Sequence, residues 1–323
     1  MSSHAPRRGA AIAGSVLIVG GLVTVVVLAA RGVPHRAADS TSPLSTSAAA
    51  VPTTPAPTTA APTPAPTPKP TPTLAAAASV NSALRRLAAG LPADGVSVAA
   101  LNMTTGARFS FGSGGGMRTG SVAKLFLRET VLLQHQDAGT PVSDEELALA
   151  TPMIENSDNK AEYSLFLDAG GRDALVDAFP RLGLNHSIPG YSDPALTATN
   201  ATDGITLLQN LVRDRPLNAY SRSLALRLLR NVESDQRWGV SAVADPGSTV
   251  ALKNGWLPVD NDNDASENDD GLWLVNSVGI VTVHGQQVLL SAFTQHGPDY
   301  ASGVRLVEAL VRAITPAVVA ESG

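Results

Sequence analysis

Residues 37–73 are dominated by Ser, Thr, Ala and Pro and include the run Pro62-Thr63-Pro64-Ala65-Pro66-Thr67-Pro68. A segment of this kind holds too few apolar side chains to repay the entropy of ordering, and its prolines favour extended polyproline geometry. It therefore reads as an unfolded linker with a reach on the order of 100 Å at about 3.1 Å per residue. Whatever folds in this chain of 323 residues must lie to either side of it.

On the N-terminal side, residues 1–9 are a short polar stretch, followed by an uncharged apolar run from Ala10 to Ala30. Its 21 residues would span roughly 32 Å as a helix, enough to cross a bilayer. Arg7 and Arg8 precede it, and Arg31 and Arg36 follow, so local charge sets its direction only weakly. The run is long for the apolar core of a cleaved signal peptide, although Leu28-Ala29-Ala30 offers small residues for cleavage. The expected arrangement is an uncleaved single-pass anchor over residues 10–30, a spacer over 31–73, and a folded domain held outside the cytoplasmic membrane.

That domain is expected over residues 74–316, with a tail from 317 to 323. The chain has no cysteine, which excludes disulfides, thiolate metal sites and cysteine nucleophiles. Net charge is −5, but most of the basic excess lies ahead of residue 75. The folded part is therefore more acidic, about −9, and with few aromatic residues it does not suit nucleic acid. The apolar pattern predicts a helix over residues 75–91 and a hairpin of two strands, 96–102 and 107–111, turning at Thr104-Thr105-Gly106. A mainly helical middle from Val122 to about Val232 follows. Three strands (249–254, 272–283 and 287–294) and a last helix over 300–314 complete the domain. Strands and helices at both ends around a helical insert imply an α+β fold, α/β in the broad sense. It would be an antiparallel β-sheet flanked by helices, with an all-helical lobe beside it. The crevice between the lobes is the expected site.

Three short motifs occur in order. Ser121 and Lys124, one helical turn apart, open a largely apolar run, so a helix would place them on one face. A serine hydroxyl needs a base within hydrogen-bond reach, and a lysine serves only where burial or a second cation favours its neutral amine. Ser157-Asp158-Asn159 follows, and Lys253-Asn254-Gly255 lies in a β-like stretch further on. Alone, the first pattern is weak. In combination the three resemble the S-x-x-K, S-D-N and K-T/S-G signatures of the class A β-lactamase and penicillin-binding-protein superfamily. The run from Ser157 to the glycine pair Gly170-Gly171 and the turn Leu182-Gly183-Leu184 resemble further parts of that family.

The resemblance implies a β-lactamase/transpeptidase-like fold and an acyl-enzyme at Ser121, formed with a β-lactam or a cell-wall D-amino-acid peptide. It implies Lys124 as the base and Ser157 as the relay to the leaving nitrogen. Asn159 and Lys253 would bind the substrate amide and carboxylate, with Asn254 and Gly255 part of the same substrate-binding strand. The backbone N–H groups of Ser121 and Trp256 would form the oxyanion hole. No cofactor and no metal are expected, and the protein is expected to be a monomer. Asp158 is expected to pin its own loop.

Two departures stand out. Where the family places a glutamate in Glu-Pro-x-Leu-Asn, this chain has Asp193-Pro194-Ala195-Leu196-Thr197. Asp193 could be a shortened base for water, or an Asx-turn residue before proline. The segment from Gln136 to Glu155 is also short for the family. No G-x-S-x-G occurs and the six histidines show no ligand spacing. Asp260 to Asp270 lacks the glycine and glutamate an EF-hand requires, and reads as a solvated loop. Two functions stay open: a membrane-tethered acyl-serine hydrolase, and a module of the same fold that binds penicillin or wall peptide without turnover.

Overall fold

The computed structural model describes residues 74–258 and 271–319. The expected anchor, the linker, the acidic loop from Asp260 to Asp270 and residues 320–323 lie outside the described residues. Among the described residues no helix is long and apolar enough to cross a membrane.

The sheet has five strands, all antiparallel, in the order β2-β1-β7-β6-β5: β1 (Val96–Asn102), β2 (Arg108–Gly112), β5 (Ala251–Pro258), β6 (Trp273–Val283) and β7 (Gln286–Gly297). Every residue of β1 is buried, whereas β2 alternates exposed and half-buried residues, as an edge strand with one covered face should. The β1–β2 and β6–β7 hairpins are set by their turns. Asn102 Oδ1 accepts from the N–H groups of Thr104 and Thr105, and Gly106 takes a positive φ. His284 and Gly285 both have positive φ, the signature of a two-residue I′ turn, and the Asp245 carboxylate accepts from both of their N–H groups. A two-stranded ribbon of β3 (Met117–Arg118) and β4 (Ala198–Thr199) stands apart from the main sheet.

One face of the sheet is covered by α8 (Tyr300–Ile314), which buries Val307, Leu310, Val311 and Ile314 and packs against α1 (Leu74–Leu87). Gly303 lets α8 approach Val275 more closely than a Cβ would allow. On the other face lies α6 (Ala201–Val212), whose Gly204 packs on Ser291 and Phe293. Beyond it is the helical lobe: α2 (Ala123–Ala138), α3 (Asp144–Glu155), α4 (Asn159–Asp168), α5 (Gly171–Arg181) and α7 (Ala219–Arg230). Residues 123–133 of α2 are all buried, so this helix is the axis of the lobe. Phe126 stacks on Phe179 of α5 with ring centroids 5.3 Å apart.

The antiparallel sheet, its flanking helices and the helical lobe agree with the sequence. The last helix starts and stops as expected, and β2 is displaced by one residue. The first helix ends at Leu87 rather than 91, and α2 runs on to Ala138, where Gly139 takes the left-handed cap. The larger difference is β5, which continues to Pro258 instead of stopping at Asn254. Gly255 and Trp256 keep their register with Asn276 and Val275, and a proline is tolerated at the end of an edge strand.

Candidate active site

Ser121 sits in a 3-10 turn, Gly120–Val122, that opens directly into α2. The turn is held from three sides. From the sheet, Asn276 Nδ2 donates to the carbonyls of Arg118 and Thr119 at 2.8 and 3.0 Å. From the segment after Asp193, Thr197 O accepts from Thr119 N at 3.0 Å, and Ala195 O accepts from Thr119 Oγ1 at 3.2 Å. From the edge of the sheet, β5 lies so close that a Cβ on Gly255 would stand 2.5 Å from Thr119 O and 2.9 Å from Ser121 N. A Cβ on Gly120, where φ is +50°, would lie 3.1 Å from Trp256 N. The amide nitrogens of Ser121 and Trp256 thus meet at one close approach of two backbones, which only glycines permit.

Lys124 follows one turn on and is fully buried. Its Nζ donates to Ser121 Oγ and to Asn159 Oδ1, each at 2.8 Å, and pairs with Glu162 Oε2 at 2.7 Å. Asn159 and Glu162 come from the first turn of α4, three positions apart and hence on one face. Asp158 caps that helix by accepting from Ala161 N at 2.8 Å, the loop-pinning role expected of it. Burial pushes the Glu162 carboxyl above its ordinary range, against the opposing pull of Lys124.

The second cation lies behind this group. Ser157, between α3 and α4, has φ +60°, a left-handed conformation that costs about 1 kcal/mol or more for a residue with a Cβ. The Asp158 N–H bond to Pro152 O helps hold it there. In this conformation Ser157 Oγ accepts from Lys253 Nζ at 2.9 Å, and Lys253 also donates to Asn254 O at 3.0 Å. Lys253 is fully buried; desolvation, followed by the repulsion of Lys124, holds its ammonium well below the usual lysine range.

The structure therefore brings Ser121, Lys124, Ser157, Asn159, Lys253, Gly255 and Trp256 together. Ser121, Asn159 and Trp256 line a cleft of about 240 Å³ with Glu162, Tyr163 and Asp193. Asn254 is placed otherwise. Its side chain is fully buried, and its Nδ2 donates to Gln236 O at 2.7 Å and Trp238 O at 3.2 Å, away from the cleft. Asp193 is exposed on the cleft wall, and its Oδ1 accepts from Ala195 N at 2.8 Å, so the Asx turn is present.

Comparison with known proteins gives the same frame. The family described as "Beta-lactamase enzyme family" matches residues 132–318, more than half of the chain. The chain belongs to the beta-lactamase enzyme family. The family match begins after Ser121 and Lys124 and does not include them. "Putative lipoprotein LppW" of Mycobacterium tuberculosis is 26% identical over 231 residues, covering 68% of this chain and 69% of that protein. Among solved structures, PBP-A aligns with a TM-score of 0.61 at 18% identity, covering 74% of this chain and 95% of its own. A beta-lactamase from Desulfarculus baarsii aligns with a TM-score of 0.59 at 23% identity, covering 74% and 96%. At these identities the solved structures establish the fold.

Within the beta-lactamase fold, two site residues had escaped the sequence. Glu162 was legible in principle, since an acid three positions after Asn159 must share its helix face. Asn276 was not. It is a fully buried polar residue in the middle of an apolar strand, and its carbonyl partners belong to a loop more than 150 positions away. Among the described residues no cluster of His, Asp and Glu is suited to a metal.

Proposed function

We propose that this member of the beta-lactamase enzyme family is an acyl-serine hydrolase acting on a β-lactam or a D-amino-acid peptide amide of the cell wall. The observation that carries the reading is the 2.8 Å contact between Ser121 Oγ and Lys124 Nζ inside a cleft. Ser121 Oγ attacks the carbonyl carbon as Lys124 accepts its proton. The Ser121 and Trp256 N–H groups stabilise the oxyanion, such donors being worth about 3 kcal/mol each where measured. Ser157 passes a proton to the departing nitrogen, and Lys253 beneath it supplies positive charge for the substrate carboxylate. Asn159 binds the amide of the acyl group. Water releases the acyl group with Asp193 as the base on the cleft wall. The solved variant of PBP-A described as an acyl-enzyme complex with penicillin G supports a penicillin as a first substrate to test. The lipoprotein name of the mycobacterial relative supports a tethered, extracytoplasmic site reached through the 31–73 spacer from an anchor at 10–30.

A second reading, binding without turnover, is favoured by one observation. Asp193 Oδ1 is engaged by Ala195 N, which leaves one carboxylate oxygen for water. Incubation with a fluorescent penicillin and a chromogenic cephalosporin separates the two. The hydrolase reading expects covalent labelling and cephalosporin turnover, both lost in Ser121→Ala. Stable labelling without turnover would favour the binding module, and neither signal would end the β-lactam reading.

A further inference from the structure

Resting on the acyl-serine reading, we infer that Glu162 is the terminal proton acceptor for attack by Ser121, with Lys124 as the bridge between them. Ser121 Oγ, Lys124 Nζ and Glu162 Oε2 form an unbroken chain with steps of 2.8 and 2.7 Å. An ammonium that already carries three protons cannot take a fourth. It can accept the serine proton only as it hands one of its own onward, and Glu162 is the carboxylate in contact with it. Asp193 forms no ion pair with Lys124 among the described residues and is committed to the turn that precedes α6.

Glu162 is also built unlike a structural ion-pair partner. It is buried to 4% exposure, it lines the same cleft as Ser121, and its Oε1 has no hydrogen-bond partner among the described residues. A buried carboxylate oxygen left without a donor is costly, and such groups concentrate where chemistry uses them. The charged groups that act on it are Lys124 from α2, Lys253 from β5 and Asp193 from the facing wall. Burial favours its protonated form and so lowers the cost of receiving a proton.

The step balances. The Oγ–C bond forms and the carbonyl π pair moves to oxygen. The Oγ proton passes to Lys124 while a Lys124 proton passes to Oε2. The oxyanion pair then re-forms the carbonyl as the C–N bond breaks; that bond's electron pair stays on nitrogen, which takes the proton of Ser157, and Lys253 Nζ replaces that proton. The pocket ends with Glu162 neutral and Lys253 neutral, so its net charge is unchanged. In hydrolysis the Glu162 proton returns to the departing Ser121 Oγ along the same path, and the proton given up by the attacking water restores the Lys253 ammonium.

The test uses the full-length chain and the rate of covalent labelling by a fluorescent penicillin across pH. Wild type should label faster as pH rises through the Glu162 titration, with a midpoint above the ordinary glutamate range, because only the carboxylate accepts. Glu162→Gln should label roughly 100-fold slower or worse and lose that acid limb, the usual scale for losing a proton acceptor. Glu162→Asp should recover part of the rate and keep a limb. Labelling of Glu162→Gln within threefold of wild type with an unchanged pH profile would overturn the inference and leave the acyl-serine reading standing. Should Glu162→Gln fail to fold, Glu162→Asp decides, and a wild-type rate with an unmoved limb overturns the inference. Wild type that does not label, like Ser121→Ala, would overturn both.

Discussion

Lys253 Nζ lies 2.9 Å from Ser157 Oγ, joining the edge strand of the sheet to the strained turn between two helices of the other lobe. The contact spans the two lobes at the cleft, and one partner is a buried cation that forms no ion pair among the described residues. Burial, followed by the repulsion of Lys124, destabilises its ammonium relative to an exposed lysine. Its folded pKa is depressed, so the folded chain binds fewer protons there than the unfolded chain. The penalty is fully present below the folded pKa and is relieved as pH rises toward the ordinary lysine value. Lys253→Met should therefore raise stability at pH 7 by about 2 kcal/mol while abolishing penicillin labelling. Urea unfolding with a parallel labelling assay checks both; a destabilised variant that still labels would contradict the account.

Gly255 owes its place to the serine turn. A Cβ there would stand 2.5 Å from Thr119 O, 2.8 Å from Val122 N and 2.9 Å from Ser121 N, all backbone atoms that cannot rotate away. Gly255→Ala should cost about 2 kcal/mol through overpacking. It should also slow labelling roughly 100-fold, because the Ser121 and Trp256 amides move apart. Unfolding midpoints and labelling rates measured on one preparation check this.

Asn254 departs from the family signature, and its side chain explains why the departure is tolerated. Its amide holds the Gln236–Trp238 segment from inside, with bonds of 2.7 and 3.2 Å to two carbonyls. Restoring the family residue with Asn254→Thr should lose those bonds and cost about 2 kcal/mol. It should not accelerate labelling by more than about twofold, a negligible change in barrier height. A faster, equally stable variant would show instead that Asn254 is a weakened substrate contact.

Within α2, Glu129 is fully buried beside Arg128, which approaches only to 3.5 Å, and beside Asn210 at 3.1 Å. Burial pushes its carboxyl up to about 8. A folded pKa above the unfolded value gives a contribution that is complete below about pH 4.5 and is lost as pH rises through 8. Stability of the wild type should fall over that window, and Glu129→Gln should flatten the fall. Chemical denaturation at pH 5, 7 and 9 checks it; identical slopes would contradict the assignment.

The legible parts of the sequence were those governed by local patterns. The α8 helix carries its apolar face at helical spacing and its Asp299 cap, and the β1–β2 hairpin carries its own turn chemistry. Ser121–Lys124, Ser157–Asn159 and Lys253–Gly255 were legible as three motifs in order. The sequence concealed where long-range geometry decides. Glu162 joins the site only because α4 packs on Lys124, and Asn276 only because β6 meets the segment carrying Arg118 and Thr119. Asn254 resembled a variant ligand because strand alternation cannot tell which face meets the cleft when both faces are buried.

Acylation of Ser121 is read from the mass of the intact protein. After incubation with a penicillin, the full-length chain should gain the mass of one whole penicillin molecule. Fragmentation should locate the adduct on the peptide containing Ser121, and Ser121→Ala should carry none. An unmodified wild-type protein under these conditions, or an adduct that persists in Ser121→Ala, would contradict it.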